Sequence, residues 1–343
     1  MKYLTSAVAT LVATALAAPT ETGQEVPRQA GSACSSAVTL DASTNVFKKY
    51  TLHPNKFYRD EVNAAVEQLS DSSLADAAKK VADVGSFLWI DTIANIAKIE
   101  PAVADVPCTN ILGLVIYDLP GRDCAAKASN GELKVGYRDG VAYAIKNLNL
   151  PNVVMYLDAG HGGWLGWDAN LSPGAKELAN AYKNGGSPKQ LRGFATNTAG
   201  WNSWDQSPGE FASASDAKYN KCQNEKIYVD TFAPLLKSAG MPNHAIIDTG
   251  RNAVTGLRKE WGDWCNVNGA GFGVRPTADT GDDLADAFVW IKPGGESDGT
   301  SDSSATRYDS FCGKDDAYKP APEAGTWNQA YFEMLIKNAK PSF

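Results

Sequence analysis

The sequence predicts an α/β domain built on a parallel barrel, and two observations predict it. Apolar runs of strand length alternate with stretches of helical period along most of the chain. Polar residues fall where those runs stop. In chain order the runs are 85–91 (GSFLWID), 111–117 (ILGLVIY), 153–157 (VVMYL), 193–196, 245–247 and 287–291. The helical stretches are an Ala-rich region at 60–83, then 139–148, 175–183, 218–237 and 327–338. Alternation alone leaves an open parallel sheet as the alternative. The run ends favour the barrel: Asp91, Asp118, Asp158, Asn197, Asp248 and Lys292 would gather at one mouth, the carboxyl end where parallel barrels carry their active sites.

The amino terminus sets the compartment. Lys2 precedes a small and apolar run at 7–18, with Ala15, Leu16 and Ala17 at a suitable cleavage point. That order predicts a secretory signal at 1–18 and a soluble, exported protein. The run is too short to span a bilayer. Residues 19–45 read as a leader or loose arm, and 46–343 as one large domain. The net charge of −7, with no basic run, argues against nucleic acid and anionic membranes and suits a neutral ligand. Six cysteines (Cys34, Cys108, Cys124, Cys222, Cys265 and Cys312) at irregular spacing suit disulfides in an oxidising compartment better than a zinc site. Spacing alone does not assign the pairs. Asn170 opens a glycosylation sequon followed by Pro173.

Among the chemistries, a serine hydrolase is excluded. Residues 295–299 match G-x-S-x-G, but a polar loop follows instead of a helix, and His53, His161 and His244 all precede the serine. The three scattered histidines make no paired metal motif, so no metal is expected. His161 reads as a hydrogen-bond donor at the mouth or as a structural residue of a Gly-rich turn. Carboxylates remain, and they suit glycoside hydrolysis, which needs one carboxyl as acid and another to handle water. Asp123, beside Arg122, and Asp298, beyond Lys292, are the candidates; a solvated loop acid is the bland alternative for each. Nine tryptophans supply flat apolar faces on which sugar rings stack, and Trp89, Trp164, Trp167 and Trp264 have Asp, Gly or His close by in the sequence.

The segments 117–124 (YDLPGRDC), 156–161 (YLDAGH) running on to Trp164 and Trp167, 261–267 (WGDWCNV), 271–276 (GFGVRP) and 288–304 (FVWIKPGGESDGTSDSS) together resemble glycoside hydrolase family 6. The resemblance covers nearly everything from Val46 onward. It implies a distorted parallel barrel, no cofactor, and cellobiohydrolase-like cleavage of cellulose to cellobiose with inversion. By motif, Asp123 is the acid that supports the proton donor and Asp298 the base or water-activating carboxylate. Trp89, Trp164 and Trp264 are sugar platforms, while Asp91, Tyr117, His161, Lys292 and Glu296 hold the substrate and distort one ring. Cys265 and Cys312 match a family disulfide. The loops at 294–327 and after Asp123 resemble tunnel covers. Cellulose and cello-oligosaccharides are the implied partners, the protein acting as a monomer without a cellulose-binding module.

One departure bears on catalysis. The family's second signature, a strand ending in Glu-Pro-Asp that carries the proton donor, is not in the sequence; 130–136 (NGELKVG) runs directly into 137–141 (YRDGV). The barrel is therefore expected to be one strand-helix unit short, with the gap near 136–137. Ser297 stands where a cysteine is common, and Gly121 where many members have an acid. Loss of general acid catalysis costs about 10²–10⁴-fold, and loss of an interior strand leaves unpaired edges. A glucan-binding protein with impaired catalysis, or the product of a mis-spliced gene, are the alternative readings.

Overall fold

The computed structural model describes residues 11–15, 38–117 and 137–343. Its strands are β1 (Leu11–Ala15, described by backbone alone), β2 (Thr51–Leu52), β3 (Phe87–Ile90), β4 (Asn110–Ile111), β5 (Gly113–Ile116), β6 (Val153–Asp158), β7 (Leu191–Thr196), β8 (His244–Asp248) and β9 (Ala285–Val289). Its helices are α1 (Lys56–Val66), α2 (Ala75–Ala82), α3 (Ile99–Ala104), α4 (Tyr137–Asn147), α5 (Asp168–Asn184), α6 (Glu225–Ser238) and α7 (Gln329–Lys337). Among the described residues none of the helices is long and apolar enough to cross a membrane.

The main sheet runs β3-β5-β1-β6-β7-β8-β9, and β2 pairs with β4 separately. All neighbours in the main sheet are parallel except at β1, which is antiparallel to both β5 and β6. The two-residue period of each strand divides its side chains between two apolar layers. Phe87, Val115, Val154, Tyr156, Ala195, Ile246, Ala287 and Val289 form one buried layer. Leu88, Leu114, Met155, Leu157, Phe194, Ala245, Ile247 and Phe288 form the other, packed with residues of α4, α5 and α6. Both faces of β6, β7 and β9 are therefore buried, which is why those runs are apolar throughout. The sheet's two ends approach: Phe87 N donates to Trp290 O at 3.0 Å and Trp89 Nε1 donates to Ile291 O at 2.7 Å. The inner layer is thus enclosed in the manner of a barrel.

The position of β1 concerns the expected shortening. Between β5 and β6, where direct pairing would close the sheet, five residues of the predicted secretory signal intervene, Leu11 opposite Ile116 on one side and Leu11–Ala15 opposite Leu157–Val153 on the other. The last residues of the predicted loose arm are not loose. Leu40 N donates to Pro151 O, and Asn45 Nδ2 donates to Asp286 O at 2.6 Å. Arg192 Nη1 donates to Ala42 O. These contacts converge on a buried ion pair at the amino end of the strands, where Arg192 Nε and Nη2 donate to both oxygens of Asp286 at 2.5 and 2.7 Å and Tyr156 OH joins at 2.7 Å.

Two predicted helices differ in extent. The region 60–83 is two helices, because Asp71 accepts from Ser73 N and Ser70 is held by Glu333, stopping one helix and starting the next. The helix expected from 218 begins at Glu225, where Asn224 caps it by accepting from Ile227 N. Of the cysteines, Cys265 and Cys312 are bonded to each other, and Cys108 is also disulfide-bonded. The expectation of disulfides fails at Cys222, which is free and buried. Burial in the apolar layer beside α6 raises its thiol to about 11. Cys34 and Cys124 lie outside the described residues.

Candidate active site

The carboxyl ends of the strands converge as expected, but some of the polar residues there serve the backbone. Asp248, at the end of β8, accepts four backbone N–H groups: Gly250 and Ile291 on one oxygen, Ala199 and Lys292 on the other, at 2.9–3.2 Å. It ties the ends of β7, β8 and β9 together. Asn197, after β7, is wholly buried, donates to Asn202 O and Asp248 O, and adopts a left-handed backbone with φ of 59°. The sequence placed both at the mouth as ligand-facing groups. Each instead has its hydrogen-bonding capacity taken up inside the protein. Asp158 accepts from Gly160 N at 2.7 Å, and burial pushes its carboxyl up to about 7.

Beyond β9 the site carries charge. Lys292 Nζ meets Glu296 Oε2 at 3.0 Å and lies 5.7 Å from the centroid of the Trp89 ring. Trp89 packs edge-on against Tyr117 at 5.2 Å. Four predicted ligand-binding residues therefore meet at one corner, supplied by β3, the end of β5 and the loop after β9. Asp298 lies nearby in sequence but faces another partner. Arg251 Nη1 is 2.9 Å from each of its oxygens, and Asn266 N donates to Oδ2 at 2.8 Å. Arg251 is itself buried, donates to Ala199 O at 2.6 Å, and lies 4.0 Å over the Trp201 ring. The side chain of Asp298 is only 7 % exposed. It is a carboxylate fixed by charge-assisted bonds rather than a solvated loop acid.

A second corner lies after β6. The turn from Gly160 brings His161 against Trp164, ring centroids 6.4 Å apart, with Trp164 39 % exposed. Gly163 is required here, since a Cβ would come within 2.2 Å of the Trp261 ring. His161 Nδ1 accepts from Gly163 N at 3.1 Å, and burial followed by the charge of Arg258 holds the ring down to about 3. Beneath it, Glu225 is fully buried and raised by burial; it accepts from Gly162 N at 3.0 Å, Asn202 Nδ2 at 2.6 Å and Thr196 Oγ1. Trp264 is half-buried, 6.2 Å from Phe311, and its carbonyl accepts from Trp201 Nε1. Asp91 is bonded to Asn95. Asn170 Nδ2, the nitrogen of the sequon, donates to Trp164 O at 2.8 Å. Asp118, Arg122 and Asp123 lie outside the described residues. Arg251, Asn202, Glu225 and Arg258 were not singled out in the sequence. The only signal for them was position: Arg251 lies three residues past the end of β8.

A mostly parallel, barrel-like sheet whose strand ends carry fixed carboxylates and partly exposed indoles fits a glycoside hydrolase. The chain belongs to the glycosyl hydrolases family 6, whose model matches residues 47–138 and 134–339. It is 62 % identical to the 1,4-β-D-glucan cellobiohydrolase CEL6C of Podospora anserina over 396 aligned positions, covering 100 % of both chains. That alignment is longer than the chain's 343 residues. Among solved structures, it resembles the CcCel6A catalytic domain complexed with p-nitrophenyl β-D-cellotrioside, with a TM-score of 0.83, 38 % identity, and coverage of 87 % of this chain and 99 % of that one. It also resembles cellobiohydrolase II (Cel6A) of Humicola insolens in complex with glucose and cellotetraose, with a TM-score of 0.81, 40 % identity, and coverage of 88 % and 100 %.

Proposed function

We propose that this protein is a secreted, monomeric β-1,4-glucanase of cellobiohydrolase type that hydrolyses cellulose to cellobiose with inversion. The observation that carries the reading is Asp298, a buried carboxylate fixed by Arg251 in the loop after β9, the same loop that supplies Lys292 and Glu296 to the Trp89–Tyr117 corner. Inversion needs a carboxylate that activates water on one side of the ring and an acid on the other. Asp298 is the proposed base, and Asp123 the proposed support of the acid. Trp89, Trp164 and Trp264 stack on sugar rings, while Asp91, Tyr117, His161, Lys292 and Glu296 bind hydroxyl groups. Cello-oligosaccharides are the soluble ligands expected to bind.

A second reading, a glucan-binding protein with impaired catalysis, is favoured by a specific observation. The family match divides at 134–138, between β5 and β6, and β1 occupies the place between those two strands. This supports the absence of the donor strand. Release of soluble sugar from swollen cellulose, measured beside a version carrying a relative's segment at 136–137, separates the readings. Equal activity of both supports the hydrolase and implies a substitute acid. Activity in the extended version alone, with cellotriose bound by both, supports the binding protein.

A further inference from the structure

The His161 imidazole is gripped from one side only. Gly163 N is an obligate donor, so Nδ1, 3.1 Å away, must present its lone pair. Asn202 Nδ2 lies at the same distance from Nδ1. The orientation of the Asn202 amide is itself fixed by two neighbours of opposite character. Its Oδ1 accepts from Arg258 Nη2 at 2.6 Å, and an arginine can only donate. Its Nδ2 reaches Glu225 Oε1 at 2.6 Å. Flipping the amide would set donor against donor at Arg258 and acceptor against acceptor at Glu225. Arg258 is anchored in turn by Glu210, at 2.6 Å, and Glu225 by Thr196 and Gly162. Asn202, Glu225 and Arg258 are all buried, so water does not loosen the arrangement. Among the described residues Nε2 of His161 has no protein partner, and it is not one of the buried atoms left without one.

We propose that Asn202 is a positioning residue: clamped between Arg258 and Glu225, it acts with the Gly163 N–H to hold His161 in the tautomer protonated on Nε2, so the ring offers an N–H donor to a sugar hydroxyl at the mouth. The role of the donor rests on the glucan reading of the site; the hold on the tautomer does not. A neutral ring with a set tautomer binds an uncharged sugar without desolvating an imidazolium.

The test is ¹⁵N NMR of the histidine side chains in the intact protein, with cellotriose affinity measured in parallel. Wild-type His161 is expected to show a bare Nδ1 and a protonated Nε2. Asn202→Asp replaces one of the two donors to Nδ1 with an acceptor, and is expected to raise the population protonated on Nδ1 and weaken cellotriose binding by up to about tenfold, the loss of roughly one hydrogen bond. A wild-type ring protonated on Nδ1 overturns the proposal, and so does an Asn202→Asp ring whose tautomer population is the same as wild type. A wild-type ring with the expected tautomer in a protein that binds no cellotriose upholds the hold of Asn202 and overturns the glucan reading instead.

Discussion

Arg251 Nη1 is equidistant, at 2.9 Å, from the two carboxylate oxygens of Asp298, and both side chains are almost fully buried. A buried pair of this kind is costly to break from one side, because the remaining charge is stranded. Arg251→Met is expected to destabilise the protein by about 3–5 kcal/mol in denaturant titration. A loss under about 1 kcal/mol would show that water reaches Asp298 freely.

Asp298→Asn tests the proposed chemistry with little change of shape. Its side-chain oxygen can still accept from Asn266 N. Turnover of cello-oligosaccharides is expected to fall by about 10²–10⁴-fold, with dissociation constants changed only a few-fold. Unchanged turnover would remove Asp298 from the list of reacting groups.

Asp158 gives a pH dependence. Burial raises its carboxyl from 3.8 to about 7, so between those values the native state keeps a proton that the unfolded chain releases. Stability from this group therefore declines as pH rises through that window, by roughly 4 kcal/mol in all. His161, lowered by burial, acts in the opposite sense: its contribution is lost as pH falls from 6.5 toward about 3. The difference between wild type and Asp158→Asn isolates the aspartate. The variant is expected to match wild type near pH 4 and to exceed it at pH 7 and above, in urea unfolding measured across the range.

The Cys265–Cys312 bond closes a loop with a sequence separation of 47. In the chain-entropy account, opening it costs about 4 kcal/mol. The double variant Cys265→Ser, Cys312→Ser should lose that amount in denaturant titration. Cys222, buried and unpaired, is expected to resist thiol reagents until the protein unfolds.

The repeating alternation of strand and helix was legible because strands such as β6, β7 and β9 are buried on both faces and carry their apolar runs locally. The corner built by Trp89, Tyr117, Lys292 and Glu296 was legible through long motifs. What escaped were partners far apart in sequence. Arg251 and Asp298 are 47 residues apart, Asn202 and His161 are 41 apart, and Gly162 and Glu225 are 63 apart. Neither period nor spacing encodes such pairs. Asp248 was read as ligand-facing for the same reason: only folding brings Ile291 and Lys292 N–H groups to its carboxylate. The start of α6 was placed too early because 218–224 is helix-compatible in composition. There, Asn220 instead spends its side chain on Gly162 O and Cys222 N.

Strand β1 lies within the predicted secretory signal, so its removal on export has a structural consequence. Protein lacking residues 1–18 loses both ladders of β1, leaving β5 and β6 with unpaired edges. At about 1 kcal/mol net per hydrogen bond, the loss should reach several kcal/mol and open the β5–β6 region to limited proteolysis. Equal stability of the two forms would show that β5 and β6 close on each other once the signal segment is gone.

The Asp248 carboxylate divides the ring mechanically. Four N–H groups from three successive strand ends converge on it, so the β7–β8–β9 arc behaves as a single stiff tile whose loops move together. In protein that keeps residues 11–15, the opposite arc contains a seam, where β1, antiparallel to both its neighbours, is inserted from the amino-terminal segment. Under heat or force the ring should part at that seam first, while the tile that carries Lys292 and Arg251 stays assembled.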